Sequence, residues 1–129
     1  MKKRTIVIGA VLIAQHLGTP AAFAGPWEDG MAAYNRGDYT PAIRVFRVLA
    51  EQGNAKAQSV LGVMFRKGEG VPKNPVRAHM WFSFAAKRGE ASARAELREV
   101  SRTMTAQEIS RAEAMARTCE ASNYRECEY

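Results

Sequence analysis

The sequence predicts an all-α fold, a short α/α solenoid in which antiparallel helix hairpins stack on one another. The segments that begin at Ala42 and Ala78 repeat one pattern of small and aromatic residues at a spacing of 36 residues. A period of this length is typical of stacked helix–turn–helix units. N-cap residues, prolines and glycines also divide the chain into segments of helical length, and no segment alternates with the period of two that indicates a strand.

The starts of two helices are marked by a polar residue followed by proline. Thr40 precedes Pro41, and Asn74 precedes Pro75. Threonine and asparagine are good N-cap residues, and proline is favoured in the first helical position because no intrahelical acceptor is available there. We therefore expect one helix to begin at Pro41 and another at Pro75.

Glycines mark helix ends, and a capping box marks the last helix start. Gly53 and Gly89 lie where a left-handed residue would end the preceding helix. Thr105 and Glu108 have the spacing of a capping box, in which each side chain caps the other residue's backbone. The sequence predicts six helices, at about residues 27–36, 41–52, 55–67, 75–88, 91–102 and 106–121.

Small and large apolar residues in the middle of the chain predict closely packed helices. Alanine and glycine allow helix axes to approach, and large side chains fill the space between layers. The small residues are Ala57, Gly62, Ala78 and Ala85, and the large ones are Leu61, Phe65, Trp81 and Phe82. Phe46 and Leu49 recur at helical spacing in the preceding unit, and such a stripe is typical of a core rather than of a ligand site.

The first 24 residues have the organisation of a secretory signal peptide. Residues 2–4 are basic, residues 6–14 are apolar, and Ala22 and Ala24 precede an expected cleavage site after Ala24. A membrane anchor is the alternative, but a spanning helix needs about 20 apolar residues. We expect a periplasmic or secreted protein. Cleavage would lower the net charge from +6 to +3, which argues against nucleic acid as a partner.

Three ordered motifs lie between residues 55 and 90. The first is L-G-x-x-F, with Leu61, Gly62 and Phe65. The second is G-x-G-V, with Gly68 and Gly70. The third is A-x-x-W-F-x-x-A-A-x-x-G, with Ala78, Trp81, Phe82, Ala85, Ala86 and Gly89. In this order they resemble the Sel1-like repeat, a relative of the tetratricopeptide repeat. With Gly53, these are the residues that the resemblance implies define the repeat.

The resemblance implies a helical repeat domain over residues 25–121. Residues 25–54 look like a tetratricopeptide unit without the G-x-G-V loop, and residues 55–90 look like a Sel1 unit. Residues 91–121 depart from both patterns and are interpreted as a capping helix pair, which a solenoid needs to shield its last apolar face. Residues 122–129 are expected to form a tail tied by a disulfide.

Cys119 and Cys127 are the only cysteines. An even number of cysteines in an exported protein favours a disulfide, and a turn at Ser122 and Asn123 would bring the two Cα atoms within bridging range. Two free thiols, an intermolecular bridge and a redox pair are the alternatives. The spacing is similar to that of the bridges in cysteine-rich Sel1-type proteins.

The sequence offers no catalytic, metal-binding or cofactor-binding residues. The common hydrolase, nucleotide and zinc-protease motifs are absent, and the loop at Gly68 and Gly70 lacks the Lys-Ser/Thr of a phosphate loop. His79 is the only histidine after residue 24, and no cysteine or carboxylate lies three or four positions from it. We expect a surface or groove-lining histidine.

The charged residues form two sets. Glu96 and Glu99 lie among arginines, which predicts an ion-paired helix face rather than an acid–base pair. The second set is basic, and on a stacked array it would form one ridge that meets an acidic partner. The arginines of the first set are Arg94, Arg98 and Arg102, and the basic set comprises Arg66, Lys67, Lys73, Arg77, Lys87 and Arg88.

These observations predict an exported adaptor that binds an unidentified protein or peptide in the bacterial envelope, with the first helix of each pair forming the inner face. We expect no cofactor, no bound nucleic acid and no membrane anchor after cleavage. Cysteine-rich Sel1-type proteins are associated with penicillin binding and β-lactamase activity, so a hydrolase of β-lactams or cell wall is an alternative, although the S-x-x-K motif is missing. A structural or regulatory envelope scaffold is another.

Overall fold

The computed structural model describes residues 24–127, so the predicted signal peptide falls outside the described residues except for Ala24. The described part consists of six helices and contains no strand. The helices are α1 (Pro26–Asn35), α2 (Tyr39–Glu51), α3 (Ala55–Lys67), α4 (Pro75–Lys87), α5 (Ala91–Arg102) and α6 (Ala106–Ala121). The predicted all-α class is confirmed, and every helix end lies within two residues of its predicted place. None of these helices has both the length and the hydrophobicity to cross a bilayer.

The start of α2 differs from the prediction. The N-cap is Asp38, and Thr40 and Pro41 lie inside the first turn. The left-handed Gly37 (φ +80°) reverses the chain early, and the Asp38 N–H then donates to the Ala33 carbonyl at 2.9 Å. Pro41 is tolerated there because first-turn N–H groups have no intrahelical acceptor.

The other predicted caps are confirmed. The Asn74 side chain accepts a hydrogen bond from the Arg77 N–H at 3.1 Å. Thr105 accepts from the Glu108 N–H at 3.1 Å, and the Glu108 carboxylate accepts from the Thr105 N–H at 2.8 Å, which completes the capping box. Gly53 and Gly89 are left-handed, and each follows a helix end.

The helices pack in chain order as far as α5, and the last helix then packs on α4. Glu113 of α6 lies beside His79 of α4, and Glu120 lies beside Lys87. The two helices therefore run in the same direction. As a result α4 contacts α3, α5 and α6, and it is the most deeply buried helix of the described part.

The core is centred on the contact between α3 and α4. Leu61, Trp81 and Phe82 are fully buried there. Gly62 faces the Phe82 ring so closely that a Cβ atom at Gly62 would lie 2.5 Å from ring carbons. The two helix axes approach at this point because α3 has no side chain in the way.

The loop between α3 and α4 packs back on the first hairpin. Gly70 is left-handed (φ +74°), and a Cβ atom there would lie 2.8 Å from the Tyr39 carbonyl oxygen. Beside it, burial and then a hydrogen bond to Glu69 raise the pKa of Tyr34 well above its ordinary value. This loop therefore joins the second unit to the first.

The tail after α6 folds back and is fixed by the disulfide between Cys119 and Cys127, whose Cα atoms are 4.5 Å apart. Asn123 and Tyr124 are both left-handed, which makes the turn. The Tyr124 ring then packs edge-on against Phe84 of α4, with ring centroids 5.3 Å apart. The tail thus adds a second attachment between α6 and α4.

We expect Gly62→Ala to destabilise the protein. A buried methyl group with no space costs about 1–3 kcal/mol, whereas alanine in a helix is favoured over glycine by only about 1 kcal/mol. The free energy of unfolding from urea denaturation should fall, and Ser59→Ala on the same helix serves as the control. A Gly62→Ala variant more stable than the wild type would contradict the packing described here.

We expect the paired substitution Cys119→Ser with Cys127→Ser to lower the free energy of unfolding by about 2–3 kcal/mol, as the loop-entropy model gives for a loop of this size. Urea denaturation of the oxidised and substituted proteins measures the difference. Intact mass spectrometry should also find the exported protein lighter than the reduced form by two hydrogens. Thiols that titrate in the unreduced protein would show that the bridge is absent.

Candidate functional site

The docking of α6 on α4 rather than on α5 leaves an open groove between α5 and α6, with α4 as its floor. Its volume is about 630 Å³. In the following, the α4–α5–α6 groove denotes the surface lined by His79 and Ser83 of α4, Leu97, Arg98, Ser101 and Arg102 of α5, and Ile109 and Glu113 of α6.

The floor of the groove is polar. His79 is only 7% exposed. The Ser83 hydroxyl donates to the His79 carbonyl at 2.7 Å and lies 3.4 Å from the ring nitrogen Nδ1. Because the hydroxyl proton points to the carbonyl, the serine oxygen is left to accept a hydrogen bond from the imidazole or from a ligand.

The electrostatics of the floor favour a neutral histidine. Burial lowers the pKa of His79 below its ordinary value of 6.5, and the nearby Glu113 carboxylate opposes this shift without cancelling it. Arg98 and Arg102, from the opposite wall, are the other charged groups that line the groove. The floor is therefore uncharged at neutral pH.

The two walls carry an apolar side chain each. Leu97 of α5 and Ile109 of α6 are both half-buried. Leu97 also packs against the core, on the same helix face as the buried Ala93 and Val100. The groove therefore has one partly exposed apolar side chain on each wall beside its polar floor.

Charges of opposite sign line the two rims. Arg98 and Arg102 lie on the α5 rim, and Glu113 lies on the α6 rim; all three are exposed. Arg102 binds Glu99 of its own helix at 3.0 Å, and Arg98 forms no ion pair within residues 24–127. The groove therefore has a fixed polarity, cationic on one side and anionic on the other.

The Ser83 and His79 pair does not have the arrangement of a nucleophile and its base. A serine nucleophile donates its proton to the imidazole, but here the proton goes to a backbone carbonyl and the distance to Nδ1 is long. Within the described residues no cluster of three or more histidine, cysteine or acidic side chains is able to hold a metal ion.

A second depression lies on α2, with a volume of about 340 Å³. Its wall includes Pro26, Val45 and Val48, and Val48 is 54% exposed. This surface is mostly apolar and has no opposed charges. This depression therefore has fewer charged groups that could discriminate between partners than the α4–α5–α6 groove has.

The residues expected to define the repeat lie in the core or at turns. The members that lie within helices are buried, except for Ala86, which is half-buried. The glycines that lie at turns have left-handed backbone conformations. The buried members are Leu61, Gly62, Phe65, Ala78, Trp81, Phe82 and Ala85, and the left-handed glycines are Gly53, Gly68, Gly70 and Gly89. None of the twelve lines the α4–α5–α6 groove.

Most members of the basic set contact another side chain of the described residues. Arg66 binds Glu96 at 3.1 Å, and Lys87 binds Glu120 at 2.7 Å. Lys67 lies 3.8 Å from Glu69, and Arg77 and Arg88 lie over the rings of Phe65 and Tyr124. The ion-paired face of α5 is present in part, since Glu96 binds Arg66 and Glu99 binds Arg102.

No partner-binding residue was predicted from the sequence, although two signals pointed to this region. His79 and Ser83 lie one turn apart on one helix, and Arg94, Arg98 and Arg102 recur every four residues on another. The groove is open because α6 docks on α4. This docking depends on contacts between residues that are distant in the sequence, so local sequence patterns do not predict it.

Residues 55–90 match the family model described as the Sel1 repeat. This match covers the second helical unit, α3 and α4, with the loop between them. Sel1 repeats generally mediate interactions between proteins. No curated protein matches the chain.

We expect His79 to make the fold less stable in mild acid. Its pKa is lowered in the fold, so the unfolded chain binds more protons once the pH falls below about 6.5. The free energy of unfolding should therefore decline as the pH falls through that range, until the folded-state pKa is passed. His79→Gln should reduce this decline, and urea denaturation from about pH 8 to about pH 5 measures both proteins. Identical pH profiles would contradict the burial of a neutral imidazole.

Proposed function

We propose that this chain, which contains a Sel1 repeat, is a protein-binding module of the bacterial envelope and that it holds its partner in the α4–α5–α6 groove. The observation that carries the proposal is the groove itself. It combines apolar walls, a buried polar floor and opposed charged rims within one concave surface.

The nature of the repeat supports a protein as the partner. Sel1 repeats generally mediate interactions between proteins, and the match at residues 55–90 includes α4, which forms the floor of the groove. A groove of this size contributes only part of a standard interface, which buries about 800 Å² on each partner. We therefore expect modest affinity unless the partner makes contacts outside the groove.

Export to the envelope is supported by the sequence of residues 1–24, with its basic, apolar and small-residue segments. A disulfide between Cys119 and Cys127 is also typical of an oxidising compartment. The disulfide also fixes the tail against α6, where Tyr124 packs on Phe84 of α4.

Site-specific photocrosslinking in the exported protein tests the proposal. A benzophenone side chain replaces Glu113 on the groove rim or, as the matched control, Arg111, which is also exposed on α6 but lies outside the groove. We expect a discrete protein adduct from position 113 in the periplasmic fraction, and none from position 111. Mass spectrometry of the same sample should find Gly25 as the first residue.

Two results would contradict the proposal. Equal adducts from positions 113 and 111 would show that contact with the partner does not depend on the groove. A protein that remains in the cytoplasmic fraction with residues 1–24 attached would show that the envelope assignment is wrong.

A further inference from the structure

We propose that the segment bound in the α4–α5–α6 groove is an amphipathic helix of a partner protein, with carboxylates one turn apart along one edge. Its apolar side chains would lie between Leu97 and Ile109, and its carboxylates would lie beside Arg98 and Arg102. This inference rests on the proposed function and names the chemistry of the partner.

The shape of the groove favours a helix over an extended segment. Residues 24–127 contain no strand, so they offer no sheet edge on which an extended peptide could form backbone hydrogen bonds. The groove is bounded instead by helices, with α4 below and α5 and α6 at the sides. A fourth helix laid along them would bring its side chains into the groove at the usual separation of about 8–10 Å between helix axes.

The arginines of α5 set the spacing of the acidic edge. Arg98 and Arg102 of the groove lie four residues apart, and Arg94 extends the row by one turn beyond the groove lining; all three are exposed. Four residues advance a helix by about 6 Å, so glutamates at the same interval on a partner helix would match the row along its length. Arg94 and Arg98 form no ion pair within the described residues, and Arg102 binds only the exposed Glu99. A row of exposed pairs contributes chiefly to specificity and to the association rate.

Glu113 on the opposite rim restricts the charge of the side chains along the other edge of the partner helix. An acidic side chain there would meet the Glu113 carboxylate, so that edge should be basic or neutral. A polyanion with charge on every side, such as nucleic acid, would meet the same repulsion. The floor adds no charge, because burial keeps His79 neutral at neutral pH. The groove therefore selects a helix with one acidic edge.

The exposed apolar surface around Val48 in a second copy of this chain does not match the groove in charge. Val48 of α2 is the one large apolar side chain classed as exposed in the described part. The residue one turn before it is Arg44, which would face the arginines of α5. The charges of this exposed apolar surface therefore oppose self-association through the groove.

Fluorescence anisotropy with designed peptides tests the inference. The probe is an alanine-based helical peptide of about 20 residues with leucines on one face, glutamates at four-residue intervals along one edge and lysines along the other. The control peptide carries glutamine in place of each glutamate. The proteins are the oxidised wild type, Arg98→Glu and the matched control Arg111→Glu, which changes the charge by the same amount outside the groove.

We expect the wild type to bind the acidic peptide about tenfold more tightly than the glutamine peptide at low salt. Arg98→Glu should remove most of that preference, and Arg111→Glu should retain it. Thermal melts confirm that both variants fold, which is expected because both arginines are exposed. Equal affinity for the two peptides, or equal losses in the two variants, would overturn the inference. A dimer of the protein alone that Leu97→Glu disrupts would also overturn it, since the occupant would then be a second copy.

The peptide and crosslinking experiments fail in distinguishable ways. An adduct from position 113 without a preference for the acidic peptide would leave the proposed function standing and reject the acidic helix. The absence of both would reject both proposals.

Discussion

The packing of α6 on α4 is the interaction on which the candidate site depends. Ala112 and Cys119 of α6 are fully buried, and Lys87 and Glu120 join the outer surfaces of the two helices at 2.7 Å. The disulfide then brings the tail back so that Tyr124 packs on Phe84. Because α6 is held on α4, it does not close against α5, and the surfaces of α5 and α6 that face each other remain open.

The same helix, α4, organises the core on its other side. Phe82 packs against Gly62 of α3, and Trp81 and Phe84 pack edge-on with ring centroids 5.6 Å apart. The residues that define the repeat therefore pack between the helices and stabilise the fold. The proposed binding surface lies instead on α5, on α6 and at His79 and Ser83 of α4. One helix, α4, therefore carries both residues of the core and residues that line the groove.

Local signals in the sequence were sufficient to predict the helices but not the site. Asn74 and Thr105 cap their helices through hydrogen bonds within three residues, and such contacts are determined by adjacent residue types. The N-cap predicted at Thr40 was wrong because the left-handed Gly37 reverses the chain earlier, and Asp38 becomes the N-cap of the helix.

Contacts between distant parts of the chain account for what sequence analysis missed. Arg66 and Lys87 of the basic set pair with Glu96 and Glu120, which lie about thirty residues further along the chain, so sequence spacing does not reveal these ion pairs. The groove depends in the same way on where α6 docks. Two of its residues, Arg98 and Arg102, belong to a row of arginines spaced every four residues. Such a row is equally typical of a solvated helix face.

The claim that binding takes place between α5 and α6, and not on the inner face formed by the first helix of each pair, is tested most directly by NMR. Backbone amide shifts of the oxidised protein are mapped while the acidic helical peptide is added. We expect the largest changes at His79 and Ser83, in residues 97–102 and in residues 109–113, with little change in α1. Changes centred on α1 and α3, or none at saturating peptide, would contradict the account.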